Sequence, residues 1–197
     1  MDKRVKDNYL IGIDELNFMI PISILTAFES HSDVAGRAAA ITEDVLSFLI
    51  KAYREGAQAT AIMLGIDVEI DDRRMAEVIY ALIDDMTFED RIYQHVAAGD
   101  EAALERLIDS EYHRVYCTAG HDMAADYVKN GGGAGKIWHT MLDDRVRDTH
   151  DYLEGMSVGF DEEFFTYDGD SARFPGDFHD PANNVGCRCF IEYVIEP

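Results

Sequence analysis

The chain has 197 residues, of which 47% are apolar, enough for a core that buries about 70% of the surface an unfolded chain would expose. Its 39 acidic residues against 17 Lys and Arg leave a formal charge of −22. Such a surface repels phosphate backbones, excludes direct DNA binding by the isolated chain, and suits solubility or a basic protein partner.

Met1-Asp-Lys-Arg-Val-Lys6 has the basic start of a signal peptide, but Asp14 and Glu15 interrupt the apolar stretch that should follow. The later run 18–28 is far short of the ~20 residues that span a bilayer, so neither a signal peptide nor a membrane helix is expected. Residues 1–32 read as an irregular or partly helical lead-in in which Pro21 blocks a continuous helix. Its apolar stretch around Met19 to Leu25 either packs on its own domain or docks on a neighbouring subunit.

Asp33 is an N-cap for a long amphipathic helix, because Val34, Ala38, Ile41, Val45, Phe48 and Ala52 recur at steps of three and four. Gly65 stops it, and Asp71-Asp72 cap the next helix, whose stripe of Met75, Ile79, Leu82 and Met86 predicts a run to about residue 86. Thr87, followed three residues later by Asp90, makes a capping start for a short helix to Ala98, closed by Gly99. A further helix runs through Leu104, Ile108, Tyr112, Val115, Ala119 and Met123, with a break expected near Gly120.

Four glycines in Asn130-Gly-Gly-Gly-Ala-Gly135 disfavour helix at ~1 kcal/mol each relative to Ala and read as a flexible hinge. A phosphate loop is not indicated, since Lys136 is followed by Ile137 rather than Ser or Thr. Beyond the hinge, 137–140 and 188–195 read as strands, the second carrying Cys189, Ile191, Tyr193 and Ile195 on one face; the stretch between 158 and 179 is rich in turns. The expected fold is therefore α+β: a mostly helical N-terminal two-thirds, then a small C-terminal module with a short antiparallel sheet.

Polar residues concentrate in that module. If 143–150 opens a helix, Asp143, Arg147 and His150 share a face. The plain reading is a structural network of Glu111, Trp138, Asp143, Arg145, Arg147 and His150, with Arg145 or Arg147 satisfying loop carbonyls, Trp138 as a buried anchor and Gly155 as a helix stop. The sharper reading is a metal site of His150, Cys187 and Cys189, with zinc as candidate cofactor and a fourth ligand from His139, His179 or Asp143. Against it, Cys-x-Cys is not the Cys-x2-Cys knuckle, and strand positions of this kind are expected to diverge, which also argues against a Cys187–Cys189 disulfide. Reduced thiols are the default, and Cys117 reads as a small apolar residue. A catalytic thiolate paired with His150, with Glu111 or Asp143 as base, is the weaker use of the same groups; no catalytic residue is assigned.

The ordered set Lys136-x-Trp-x-Thr140, Asp143-x-Arg-Val-Arg-Asp-Thr-His150, Leu153-Glu-Gly155, Asp161-Glu-Glu-Phe164, Pro175-Gly-Asp177 and Cys187-Arg-Cys189, with Ser110-Glu111 upstream, resembles the phage Mu protein F-like family of minor head or head-morphogenesis proteins. The chain departs from the family pattern at Gly186, where the family reads Asn; Asn183 and Asn184 stand just before. The resemblance makes 105–197 the family module and 1–104 a helical N-terminal region. It implies a non-enzymatic role in capsid morphogenesis or genome ejection, through portal and capsid or scaffold proteins, in the virion head and in the host cytoplasm during assembly. It also implies that enzymatic activity sits in toxin domains fused to some members. The alternative function is a small metal-dependent or thiol-based enzyme, or a toxin-related module, using His150, Cys187 and Cys189.

Overall fold

Two long helices carry the architecture because their apolar stripes are long enough to bury each other. The computed structural model describes residues 3–196, with side chains from Gly12 onward, so Met1 and Asp2, and all the side chains of the basic start Met1–Lys6, lie outside the described residues. Helix α2 (Val34–Leu64) begins where Asp33 accepts from the Gly36 amide and ends at Gly65, whose φ of 65° supplies the left-handed cap. Helix α5 (Glu101–Lys129) packs along it. The two backbones come close at two glycines: a Cβ on Gly56 would run into the Tyr116 carbonyl, and one on Gly120 would press on the Thr60 hydroxyl. Gly120 therefore serves a close crossing inside an unbroken α5 and does not interrupt it.

Helix α1 (Lys3–Ser30) corrects the expected irregular lead-in. Pro21 sits inside it, removing one helical hydrogen bond, yet Leu16, Ile20, Ile24 and Ala27 are buried and α1 packs on α2. Tertiary burial of that stripe outweighs the ~3 kcal/mol a mid-helix proline costs. The opposite side of α1 leaves Phe18 (71% exposed) and Leu25 (60%) in solvent.

Helix α3 (Asp72–Ile79) is shorter than the periodicity predicts. After Tyr80 the chain turns through Asp84 and Asp85, both at positive φ, so that Ile83 and Met86 pair across a tight turn. Aspartate tolerates this conformation better than most residues. Helix α4 (Phe88–Ala98) carries the expected capping box of Thr87 and Asp90 and ends at Gly99.

The glycine run leads straight into β1 (Ala134–His139), which forms the centre of an antiparallel sheet between β2 (Ser157–Gly159) and β5 (Phe190–Ile195). Ala134 and Gly135, read as hinge, are thus strand residues. Trp138 lies opposite Ile191 and Ile137 opposite Glu192. Arg188 and Cys189 fall before β5, which starts two residues later than expected. A small hairpin of β3 (Phe164–Phe165) and β4 (Ser171–Ala172), and two single-turn helices, α6 (Asp148–Asp151) and α7 (Pro181–Asn184), complete the module. Lys136 is fully buried and donates to the Glu162 and Arg173 carbonyls, tying the turn-rich segment under the sheet. The arrangement is the α+β one expected, helices first and sheet last. Among the described residues no helix is long and apolar enough to cross a membrane.

Candidate functional site

The floor of the site is Trp138, which β1 points into the core with no exposed surface. Its ring meets Phe164, Phe178 and His150 edge-on, at centroid distances of 5.2, 5.6 and 5.9 Å. The backbone around it is equally fixed, because Trp138 donates to the Met156 carbonyl (2.9 Å) and accepts from the Gly155 amide (2.8 Å). Gly155 makes that reversal at φ 74°, a turn back to β1.

α6 places His150 over this floor, 2% exposed and stacked on Phe178 at 4.9 Å. Its Nδ1 lies 3.5 Å from the sulfur of Cys187 and 3.5 Å from that of Cys189. Both cysteines are buried and unbridged. The expectation that the two thiols diverge is corrected: residues two apart in an extended segment share a face, and both sulfurs turn inward onto one imidazole. His150, Cys187 and Cys189 form a set whose donor atoms lie within 4.8 Å of one another and could hold a metal ion.

The thiols are electrostatically unlike. Burial opposes ionisation of Cys187, but hydrogen bonds from Cys189, His113 and His150 hold it well below the usual thiol range. Cys189, which gives that hydrogen bond and is itself buried, is pushed far up. Two like acids in contact do not ionise independently, so the two thiols titrate as a pair.

Asp143, Arg147 and His150 do not share a helical face, because α6 spans only residues 148–151 and 143–147 form an irregular turn. Each binds something else. Asp143 takes the guanidinium of Arg188 at 2.6 and 2.9 Å and caps the Arg145 amide; the Arg188 hydrogen bonds bring its carboxyl down to about 2. Arg147 donates to the carbonyls of Asn183 (2.7 Å) and Val185 (2.6 Å), clamping the segment that delivers Cys187. Arg145 stays 73% exposed, 3.8 Å from Asp143. Glu111 lies in a different cluster: buried in α5, it takes Arg91 at 3.1 Å and Arg114 at 2.5 Å, and Arg114 also donates to the Val78 carbonyl. That cluster joins α5 to α4 and to the end of α3.

The fourth ligands named from sequence are committed elsewhere. His139 lies between Glu154 and Glu192 at 3.2 and 2.8 Å, His179 is largely exposed beside Ser171 and Asp170, and Asp143 holds Arg188. Sequence reasoning missed His113, a buried α5 residue that hydrogen-bonds Cys187 and lies 3.7 Å from Cys117. The signal was present in the spacing of His113 and Cys117, four apart on one helical face. Sequence reasoning named the two asparagines before Gly186 but gave them no role. Asn184 accepts from the Phe178 amide (3.0 Å) and donates to the Phe178 carbonyl (2.8 Å), fixing Phe178 beneath His150, while Asn183 donates to Asp170 (2.7 Å).

Residues 54–192 match the family described as Phage Mu protein F like protein. The chain belongs to the phage Mu protein F-like family. The match begins in α2, well upstream of residue 105, where the motifs that carry the resemblance begin. Minor head protein GP7 of Bacillus phage SPP1 is 33% identical over 87 residues, covering 44% of this chain and 28% of that protein. NAD(+)–arginine ADP-ribosyltransferase EFV of Enterococcus faecalis is 39% identical over 61 residues, 31% of this chain and 12% of that protein. The chain therefore spans less than a third of either relative. No solved structure matches.

Proposed function

We propose that this Mu F-like protein is a minor component of a phage or prophage head that acts in capsid morphogenesis or genome ejection by binding portal and shell or scaffold proteins. The family match over 54–192 carries the reading, with the similarity to a phage minor head protein beside it. The virion head is then its place, reached from the host cytoplasm during assembly. The helical region supplies the contact surface, and the outer side of α1 offers Phe18, Ile22 and Leu25 exposed to solvent. The C-terminal network acts as a rigid block. Burial of His150, Cys187 and Cys189 to 2%, 5% and 3% exposure favours that role over a thiol enzyme, since a nucleophile has to reach its substrate.

The experiment is complementation of a phage carrying a deletion of this gene. Wild-type protein is expected to restore infectious heads and to be detected in purified virions. Phe18→Asp/Leu25→Asp protein, confirmed as folded by its melting temperature, is expected to be excluded from heads. Full infectivity of the deletion phage without any complementing copy contradicts the reading.

A further inference from the structure

The convergence on His150 is poorly accounted for by hydrogen bonding alone. One imidazole nitrogen makes a single good hydrogen bond, yet Nδ1 faces two sulfurs at the same 3.5 Å, and sulfur is a weak partner in either role. The other ring nitrogen, Nε2, is buried with no partner. The spacing fits a metal polyhedron better. With zinc–sulfur bonds of about 2.3 Å and zinc–nitrogen bonds of about 2.0–2.1 Å, neighbouring ligand atoms of a tetrahedron stand about 3.6 Å apart. A cavity of about 10 Å³ opens against His150, Cys187 and Cys189, close to the smallest space that holds one water. A zinc ion, smaller than water, needs no more.

We propose that Cys187, Cys189 and Nδ1 of His150 bind one zinc ion, and that His113 from α5 completes a closed Cys2His2 site. His113 is 2% exposed on α5, 3.7 Å from the Cys117 sulfur, and stands outside the 4.8 Å donor set, so a side-chain movement has to bring it to the metal, while His139 and His179 stay with their own partners. Zinc displaces the thiol protons, which leave to solvent, and the resulting thiolates need no other counter-charge. The site joins α5, α6 and the segment before β5, which are also linked by the Arg147 clamp, by the Gly186 amide donating to the Ser110 hydroxyl and by Arg188 on Asp143. A closed four-ligand site has no position for substrate, so its output is stability. This inference stands apart from the head-assembly reading.

The test uses the full chain, purified with and without zinc in the medium, with elemental analysis after dialysis and Co²⁺ titration of metal-stripped protein. One zinc per chain is expected, together with a thiolate-to-cobalt charge-transfer band, tetrahedral ligand-field bands and a melting temperature that falls on chelation. Cys189→Ser is expected to reduce the charge-transfer band, and His113→Ala to leave it in place while changing the ligand-field bands and weakening zinc affinity at least tenfold. Wild-type protein that holds no zinc and gives no charge-transfer band overturns the site, a result that needs no variant to fold. Unchanged cobalt spectra in a folded His113→Ala protein overturn the fourth ligand alone.

Discussion

Two arginines two residues apart are expected to behave very differently. Arg147→Met keeps an unbranched apolar stem and removes the guanidinium, leaving the carbonyls of Asn183 and Val185 without the donors they have at 2.7 and 2.6 Å. The first of these bonds is partly buried and the second exposed. A charge-assisted hydrogen bond contributes about 1.5–3 kcal/mol when shielded from water and less when exposed, so the pair should contribute roughly 2–3 kcal/mol. At about 2–4 °C per kcal/mol for a chain of this size, the melting temperature should fall by roughly 5–10 °C. Arg145→Met serves as the control: its side chain is 73% exposed and 3.8 Å from Asp143, so its loss should stay within about 0.5 kcal/mol. Thermal unfolding followed by circular dichroism reads both. Alkylation of Cys187 adds a local measure, since release of 183–185 should expose a thiol that is now 5% accessible. Equal losses for the two variants, or an Arg147 variant whose thiols react no faster than wild type, would refute the clamp.

Other positions give further checks. Gly56→Ala adds a methyl group where the Tyr116 carbonyl stands, so the ~1 kcal/mol that alanine usually gains over glycine in a helix should be reversed into a net loss of about 1–2 kcal/mol; a stabilised variant in denaturant titration contradicts the close crossing of α2 and α5. His121 is held neutral, down to about 4, by burial and then by Arg173 and Lys136. A histidine lowered in the folded state contributes stability that is full above its unfolded pKa of about 6.5 and is lost as pH falls towards 4, so about 2 kcal/mol should disappear between roughly pH 7 and pH 5. His121→Phe, placed between Phe160 and Phe174, should flatten that part of the stability profile; an unchanged slope assigns the acid sensitivity to another group.

Local chemistry made the helix ends readable in advance. Asp33, Thr87 with Asp90, Gly65 and Gly99 do in the fold what their side chains, or lack of them, require. The errors arose where a nonlocal term won. Pro21 argued for a break, but the stripe of Leu16, Ile20 and Ile24 buries against α2 and holds the helix through it. Apolar spacing carried α3 on to Met86, although Asp84-Asp85 is a turn signal that outranks periodicity once both residues adopt positive φ. In the site, the joining of His150 to the two cysteines, 37 and 39 residues further on, rested on imidazole and thiolate being zinc ligands, whereas their geometry depended on Arg147, Asn183 and Asn184 shaping the intervening segment. His113 was hidden because it lies 37 residues before His150 on a helix whose stripe reads as ordinary core.

The claim that matters most is assembly with other head proteins. Size-exclusion chromatography of the purified chain mixed with the portal ring and with the shell protein of the same locus tests it directly. Co-elution with at least one of them, lost in Phe18→Asp/Leu25→Asp protein, is the predicted result. Separate elution from both, with each partner shown to be assembled and the chain folded, contradicts it.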